Sequence, residues 1–216
     1  MRILALIVAA AFVGCASACL AADRWEKDMR AFEQQDRENG YHKGGIIFLG
    51  SSSVRGWKTL KEDFPDLDVI NRGFGGSRIS DSTRHFDRII TPHRPRLIVF
   101  YAGDNDIAGG RTPDQALKDF QQFVQKAQSS LPKVRIAFIS VKPSPSRWRV
   151  AKQMSEANAR IAAYTRRTPG LDFIDVWPAM LDSSGEPRKD IFLADMLHMN
   201  ESGYKLWTAI VRPHLD

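Results

Sequence analysis

Residues Gly45-Ile46-Ile47-Phe48-Leu49-Gly50-Ser51-Ser52-Ser53 run four apolar side chains directly into a glycine and three hydroxyls. A short, continuous apolar run bounded by turn residues fits a strand buried on both faces, as in a parallel sheet. In open parallel sheets, ligands and reactive groups gather just beyond the carboxyl ends of the strands. Here that position holds Gly50, Ser51 and Ser52. Glycine permits a sharp turn because it has no Cβ to clash. The hydroxyls that follow are candidates for a nucleophile or for an anion cradle.

Working outward, four more apolar runs read as strands, over residues 67–71, 97–101, 134–141 and 171–176. Between them lie helical patterns over 54–64, 79–90, a segment opened by Thr112-Pro113, 148–166, and a last helix capped by Asn200. Another helical pattern, 23–39, precedes the first strand. Thr112 is a suitable N-cap, and Pro113 falls at the first helical position, where its missing N–H costs nothing. Strands alternating with helices signal βαβ units around a parallel sheet, with right-handed crossovers placing helices on both faces.

Three more polar loops fall on the same sheet edge. Asn71-Arg72-Gly73-Phe74-Gly75-Gly76 follows the second strand, and Gly103-Asp104-Asn105-Asp106 follows the third. Asp195-Met196-Leu197-His198 precedes the last helix. A catalytic imidazole needs one nitrogen free to accept and the other held by an acceptor. Asp195, three residues before His198, can supply that acceptor. His42, His85, His93 and His214 have no such partner nearby in sequence and read as surface or core histidines. The Ser52 and Gly76 N–H groups and the Asn105 carboxamide can together build an oxyanion hole. Other readings fit less well. No Lys follows Gly50 as a P-loop requires, and Val54 breaks the Gly-x-Ser-x-Gly elbow. Asp104 and Asp106 fail the EF-hand pattern, and no His or Cys joins them, so no metal is expected.

These four blocks, spanning about residues 43–210, resemble the SGNH hydrolase superfamily, also called GDSL esterases and lipases. The resemblance makes Ser52 the nucleophile, Asp195 and His198 its partners, and Ser52, Gly76 and Asn105 the oxyanion hole. It implies a flavodoxin-like three-layer α/β/α fold with a five-stranded parallel sheet and no cofactor. Two departures stand out: Ser51 replaces the Asp of the family name, and Met199 follows His198 where Pro is common.

Residues 1–22 carry one early positive charge, an apolar Ala-rich run and small residues before Asp23, the pattern of a secretory signal peptide. Cleavage is expected after Ala22, with Ala18 or Ala21 as alternatives, leaving residues 23–216 as the hydrolase domain. Both cysteines, Cys15 and Cys19, lie in the leader; Val13-Gly14-Cys15 partly fits a lipid-attachment site, so an anchored lipoprotein is the alternative to simple export. The expected location is periplasmic or secreted, with no membrane-spanning segment. The net charge of +6 is spread along the chain and belongs to no nucleic-acid module.

The expected activity is that of a serine esterase acting on a small-molecule or saccharide ester, with short acyl groups favoured. Trp57, Arg147, Trp148 and Pro143-Ser144-Pro145 are candidates to line the pocket. The competing readings are an acyltransferase with the same triad, a non-catalytic carbohydrate- or envelope-binding protein, and a nucleotide or flavin binder using Ser51–Ser53 as a phosphate nest.

Overall fold

The computed structural model describes residues 23–216. The expected leader and cleavage site, with Cys15 and Cys19, lie outside the described residues. Five strands form one all-parallel sheet: β1 (Ile46–Gly50), β2 (Val69–Gly73), β3 (Leu97–Tyr101), β4 (Arg135–Ile139) and β5 (Leu171–Ile174), in the order β2-β1-β3-β4-β5. This is the flavodoxin-like order, and it reverses direction between β1 and β3. The crevice outside the carboxyl ends of those two strands is therefore the expected site.

Alternate side chains of each strand point to opposite faces. Ile47, Leu49, Ile98, Phe100, Ile136 and Phe138 feed one core, covered by α1 (Glu26–Asn39), α4 (Ile79–Arg84), α5 (Phe86–Ile89), the short α6 (Asp104–Ala108), α7 (Pro113–Ser130) and α8 (Ala151–Thr165). Phe100 and Phe123 pack there with ring centres 4.3 Å apart. Ile46, Phe48, Leu97, Val99, Tyr101 and Ile139 feed the other core. That face is covered by α2 (Ser52–Arg55), α3 (Leu60–Asp63) and α9 (Glu201–Val211), with Trp57 against Trp207. Each fully buried Phe or Leu stabilises by roughly 2–3 kcal/mol, so these two interiors hold the layers together.

The caps follow the sequence. The Thr112 hydroxyl accepts from the Gln115 N–H at 3.2 Å, and Gln115 Oε1 accepts from the Thr112 N–H at 2.9 Å. Asn200 Oδ1 accepts from the Gly203 N–H at 3.1 Å and opens α9. Three expected helices differ. The 54–64 segment is split into α2 and α3 by the turn around Trp57, whose ring is buried in the second core. The 79–90 segment breaks at His85, whose ψ of 4° leaves the helical range and whose ring is buried beside Trp25 and Phe74. The α-helix expected from 148 begins at Ala151, after a 3₁₀ segment from Pro145 to Val150. No helix among the described residues is long and apolar enough to cross a membrane.

Candidate active site

β1 ends at Gly50, whose φ is +150°. A Cβ there would lie 2.0 Å from the Tyr101 carbonyl oxygen, so only glycine lets the chain turn this tightly against β3. The turn delivers the three serines in different environments. Ser51 is buried, with its hydroxyl 3.4 Å from Asp104 Oδ1. Ser53 is buried and accepts from the Lys142 ammonium at 3.1 Å. Only Ser52, of the three, faces the imidazole: its Oγ is 2.9 Å from His198 Nε2.

The 193–198 loop presents that imidazole. It closes on itself where the Leu193 N–H donates to the His198 carbonyl at 2.8 Å. Asp195 Oδ1 accepts from the Leu197 and His198 N–H groups, both at 2.9 Å, and Oδ2 lies 2.6 Å from His198 Nδ1. An ionised carboxylate only accepts, so Nδ1 carries the ring proton and Nε2 keeps its lone pair toward Ser52. The bond to the His198 ring, then the backbone donors, hold the Asp195 carboxyl down to about 2. It is ionised throughout the neutral range.

The third element is a set of unused donors. Ser52 opens α2, so its N–H has no helical acceptor. The Gly76 N–H has no acceptor among the described residues. Asn105 Nδ2 donates one hydrogen to the Ser77 carbonyl at 3.0 Å, leaving its second hydrogen uncommitted. The loops after β1 and β2 are joined directly, since the Phe74 N–H and the Ser77 hydroxyl both donate to the Gly50 carbonyl, at 2.9 and 3.3 Å. A hydroxyl, an imidazole, a carboxylate and amide donors from four loops are thus gathered at one sheet edge. Such a set can carry a proton from a hydroxyl and stabilise a developing oxyanion. Among the described residues no group of His, Cys, Asp or Glu side chains is arranged to hold a metal.

Behind this lies a buried ionic group that spacing alone does not reveal. Asp104 is buried, 3.5 Å from Lys142 Nζ and 2.9 Å from Arg147 Nη1. Burial pushes its carboxyl up, but Lys142 and Arg147 more than offset this and hold it below the usual range. Lys142 also reaches Tyr101 Oη at 3.2 Å. Arg147 Nη2 donates to Asn105 Oδ1 at 2.8 Å, which fixes which end of that carboxamide faces the crevice. The family Asp missing at Ser51 thus has a neighbour in Asp104, an anion supplied from the loop after β3. If Asn105 serves as an oxyanion donor, Arg147→Ala is expected to lower kcat about 10- to 100-fold with KM little changed, because a mis-set donor weakens only transition-state binding. Steady-state kinetics on a soluble ester reads this, and an equal loss in kcat and rise in KM would count against it.

The other candidates separate. Trp57, Pro143 and Ser144 are buried and belong to the packing. Trp148 stacks on Trp177 at 6.2 Å. The remaining histidines find partners far along the chain: His42 with Asp68, His85 with Asp23, His93 with Asp36, and His214 with Asp172.

Asp106, the last residue of the Gly103–Asp106 block, is fully buried with one oxygen unpartnered. Its other oxygen accepts from the Ile79 N–H at 3.3 Å. Burial, with Asp104 nearby, pushes its carboxyl up to about 6. A raised acid binds its proton more tightly folded than unfolded, so it destabilises progressively from about pH 4 and fully above about pH 6. Asp106→Asn keeps an acceptor for Ile79. It is expected to stabilise by on the order of 2–3 kcal/mol at pH 8 and by little near pH 4. Denaturant unfolding at the two pH values tests the sign.

The GDSL-like lipase/acylhydrolase family model matches residues 38–206, which contain all four loops. The chain belongs to this family. Solved structures share its fold at low identity. A Streptococcus pneumonia protein provisionally named a platelet activating factor matches with a TM-score of 0.79 at 20% identity, over 88% of this chain and 92% of its own. A GDSL-like lipase from Bacteroides thetaiotaomicron VPI-5482 matches with a TM-score of 0.75 at 20% identity, over 87% and 97%. A carbohydrate esterase family 3 structure from Talaromyces cellulolyticus matches with a TM-score of 0.63 at 18% identity, over 79% and 95%. No curated protein matches the chain. Against the Gly-Asp-Ser-Leu of the family's name, this GDSL-like chain keeps Gly50 and Ser52 and departs at Ser51 and Ser53.

Proposed function

We propose that the protein is a serine esterase that hydrolyses carboxylic esters of short acyl groups, acetyl foremost, on saccharides or small alcohols. The observation that carries this is the 2.9 Å approach of Ser52 Oγ to His198 Nε2, with Asp195 behind the ring. Ser52 attacks the ester carbonyl as His198 takes its proton. The oxyanion is held by the Ser52 and Gly76 N–H groups and by Asn105. His198 then protonates the leaving alcohol, giving an acyl-enzyme, and activates the water that releases the acid. The preference for short acyl groups rests on the open setting of the site, where the His198 and Asp195 side chains are 35% and 48% exposed. The leader sequence supports action in the periplasm or outside the cell. A panel of p-nitrophenyl acetate, butyrate and octanoate tests the reading. Turnover that falls from acetate to octanoate is expected, and preference for octanoate would overturn the short-acyl assignment.

A further inference from the structure

The catalytic crevice opens beside a groove of about 530 Å³, bounded by α1, the α2–α3 segment and the outer edge of β2. Four cationic side chains line it, Arg55, Lys58, Lys61 and Arg72, against two carboxylates, Asp28 and Asp36. Arg72 and Asp36 are buried and paired with each other. Among the described residues, Arg55, Lys58 and Lys61 have no carboxylate within 4 Å, so the wall toward α2 and α3 is uncompensated positive charge.

Arg55 joins this groove to the reacting centre. It stands three residues after Ser52 on α2, so the two side chains share one helix face. Its guanidinium lies flat against Gly75, where a Cβ would come within 2.6 Å of Cζ. On the other side Arg24 covers Gly76, the oxyanion donor, with Nη2 2.7 Å from where a Cβ would stand. Arg24 also has no carboxylate partner among the described residues, and its guanidinium sits 5.0 Å from the Trp25 ring centre. Trp25 Nε1 donates to the Gly75 carbonyl at 3.0 Å, which fixes the loop between the two arginines. Glycine at both positions is what allows two guanidinia to approach the oxyanion hole so closely.

We infer that the groove binds an anionic stretch of the substrate, and that the substrate is an acylated saccharide carrying carboxylate groups beside the ester. This rests on the esterase reading above. With the carbonyl oxygen in the hole, a neighbouring carboxylate meets Arg24 and Arg55, and the chain continues along the groove toward Lys58 and Lys61. Guanidinium recognises carboxylate through paired N–H donors, and unpaired cations along a groove raise the local concentration of a polyanion. A lipid ester would instead need apolar lining for its chains, and this groove is lined mainly by polar and charged residues.

The test compares acetate release from acetylated oligogalacturonate and from acetylated xylo-oligosaccharide of matched length, with p-nitrophenyl acetate as the control. The wild type is expected to favour the acidic oligomer about tenfold in kcat/KM at low salt, and to lose that preference at 0.5 M NaCl, where exposed charges are screened within a few ångströms. Lys58→Glu/Lys61→Glu is expected to remove the preference through KM. Equal use of the two oligomers by a wild type that turns over p-nitrophenyl acetate would overturn the groove assignment and leave the esterase intact. A preference that survives both salt and charge reversal would overturn it as well. Absence of turnover on all three would overturn the esterase reading and this one with it.

Discussion

Ser52→Ala is expected to lower ester turnover by about five to six orders of magnitude, the cost of removing a triad nucleophile. The loss should be entirely chemical. Ser52 is only partly buried, and its hydroxyl bonds to His198 and to no packing residue. Its neighbours Ser51 and Ser53 keep their buried contacts to Asp104 and Lys142. The melting temperature should therefore stay within about 3 °C of the wild type. A fluorophosphonate probe should label the wild type at Ser52 and leave the variant unlabelled. Retained turnover, or labelling at Ser51 or Ser53, would sink the assignment. Substituting those two serines gives the complementary result: Ser53→Ala strands one hydrogen of a buried lysine, and its effect should show in stability before rate.

Asp195→Asn is expected to cost about 10⁴ in kcat, the second-largest effect, because it changes the tautomer of the base. The two backbone N–H groups of Leu197 and His198 hold Oδ1 as an acceptor, so an asparagine must direct its NH₂ toward His198 Nδ1. Nδ1 then accepts, the proton moves to Nε2, and the lone pair facing Ser52 is lost. The loop itself survives, since its bond from Leu193 to His198 and the two N–H bonds to Oδ1 remain. The rate should fall while KM and unfolding stability stay near the wild type. A loss under tenfold would show that His198 is oriented by something other than Asp195.

Much of this was legible in the chain. The run Ile46–Leu49 is apolar at every position, which fits a strand covered on both faces, and the alternation of such runs with helical patterns implies a parallel sheet with crossover helices. Chain order then forces the loops after 50, 73 and 101 onto one edge, because every parallel strand ends on the same side. Local chemistry gave the Asp195–His198 pair, since three residues of turn suffice for a carboxylate to reach its own imidazole. The caps of α7 and α9 are equally local.

What the sequence could not decide depends on partners distant in the chain. Three adjacent serines are alike in local chemistry; the family resemblance singles out Ser52, and burial of its neighbours and the approach of His198 across 146 residues are what the fold adds. Asp104, Lys142 and Arg147 look like ordinary charged residues of turns until the β3–β4 pairing brings their loops together. The fold then takes all three largely out of water and leaves the charges to neutralise one another. The breaks at Trp57 and His85 likewise come from rings that the core requires, against a local helical preference worth only tenths of a kcal/mol per residue. The sequence by itself determined the sheet, its loops and the types of reactive group. The tertiary structure alone decided how Ser51 and Ser53 are buried, what orients the carboxamide, and where positive charge lies beside the crevice, because those are long-range contacts and burial.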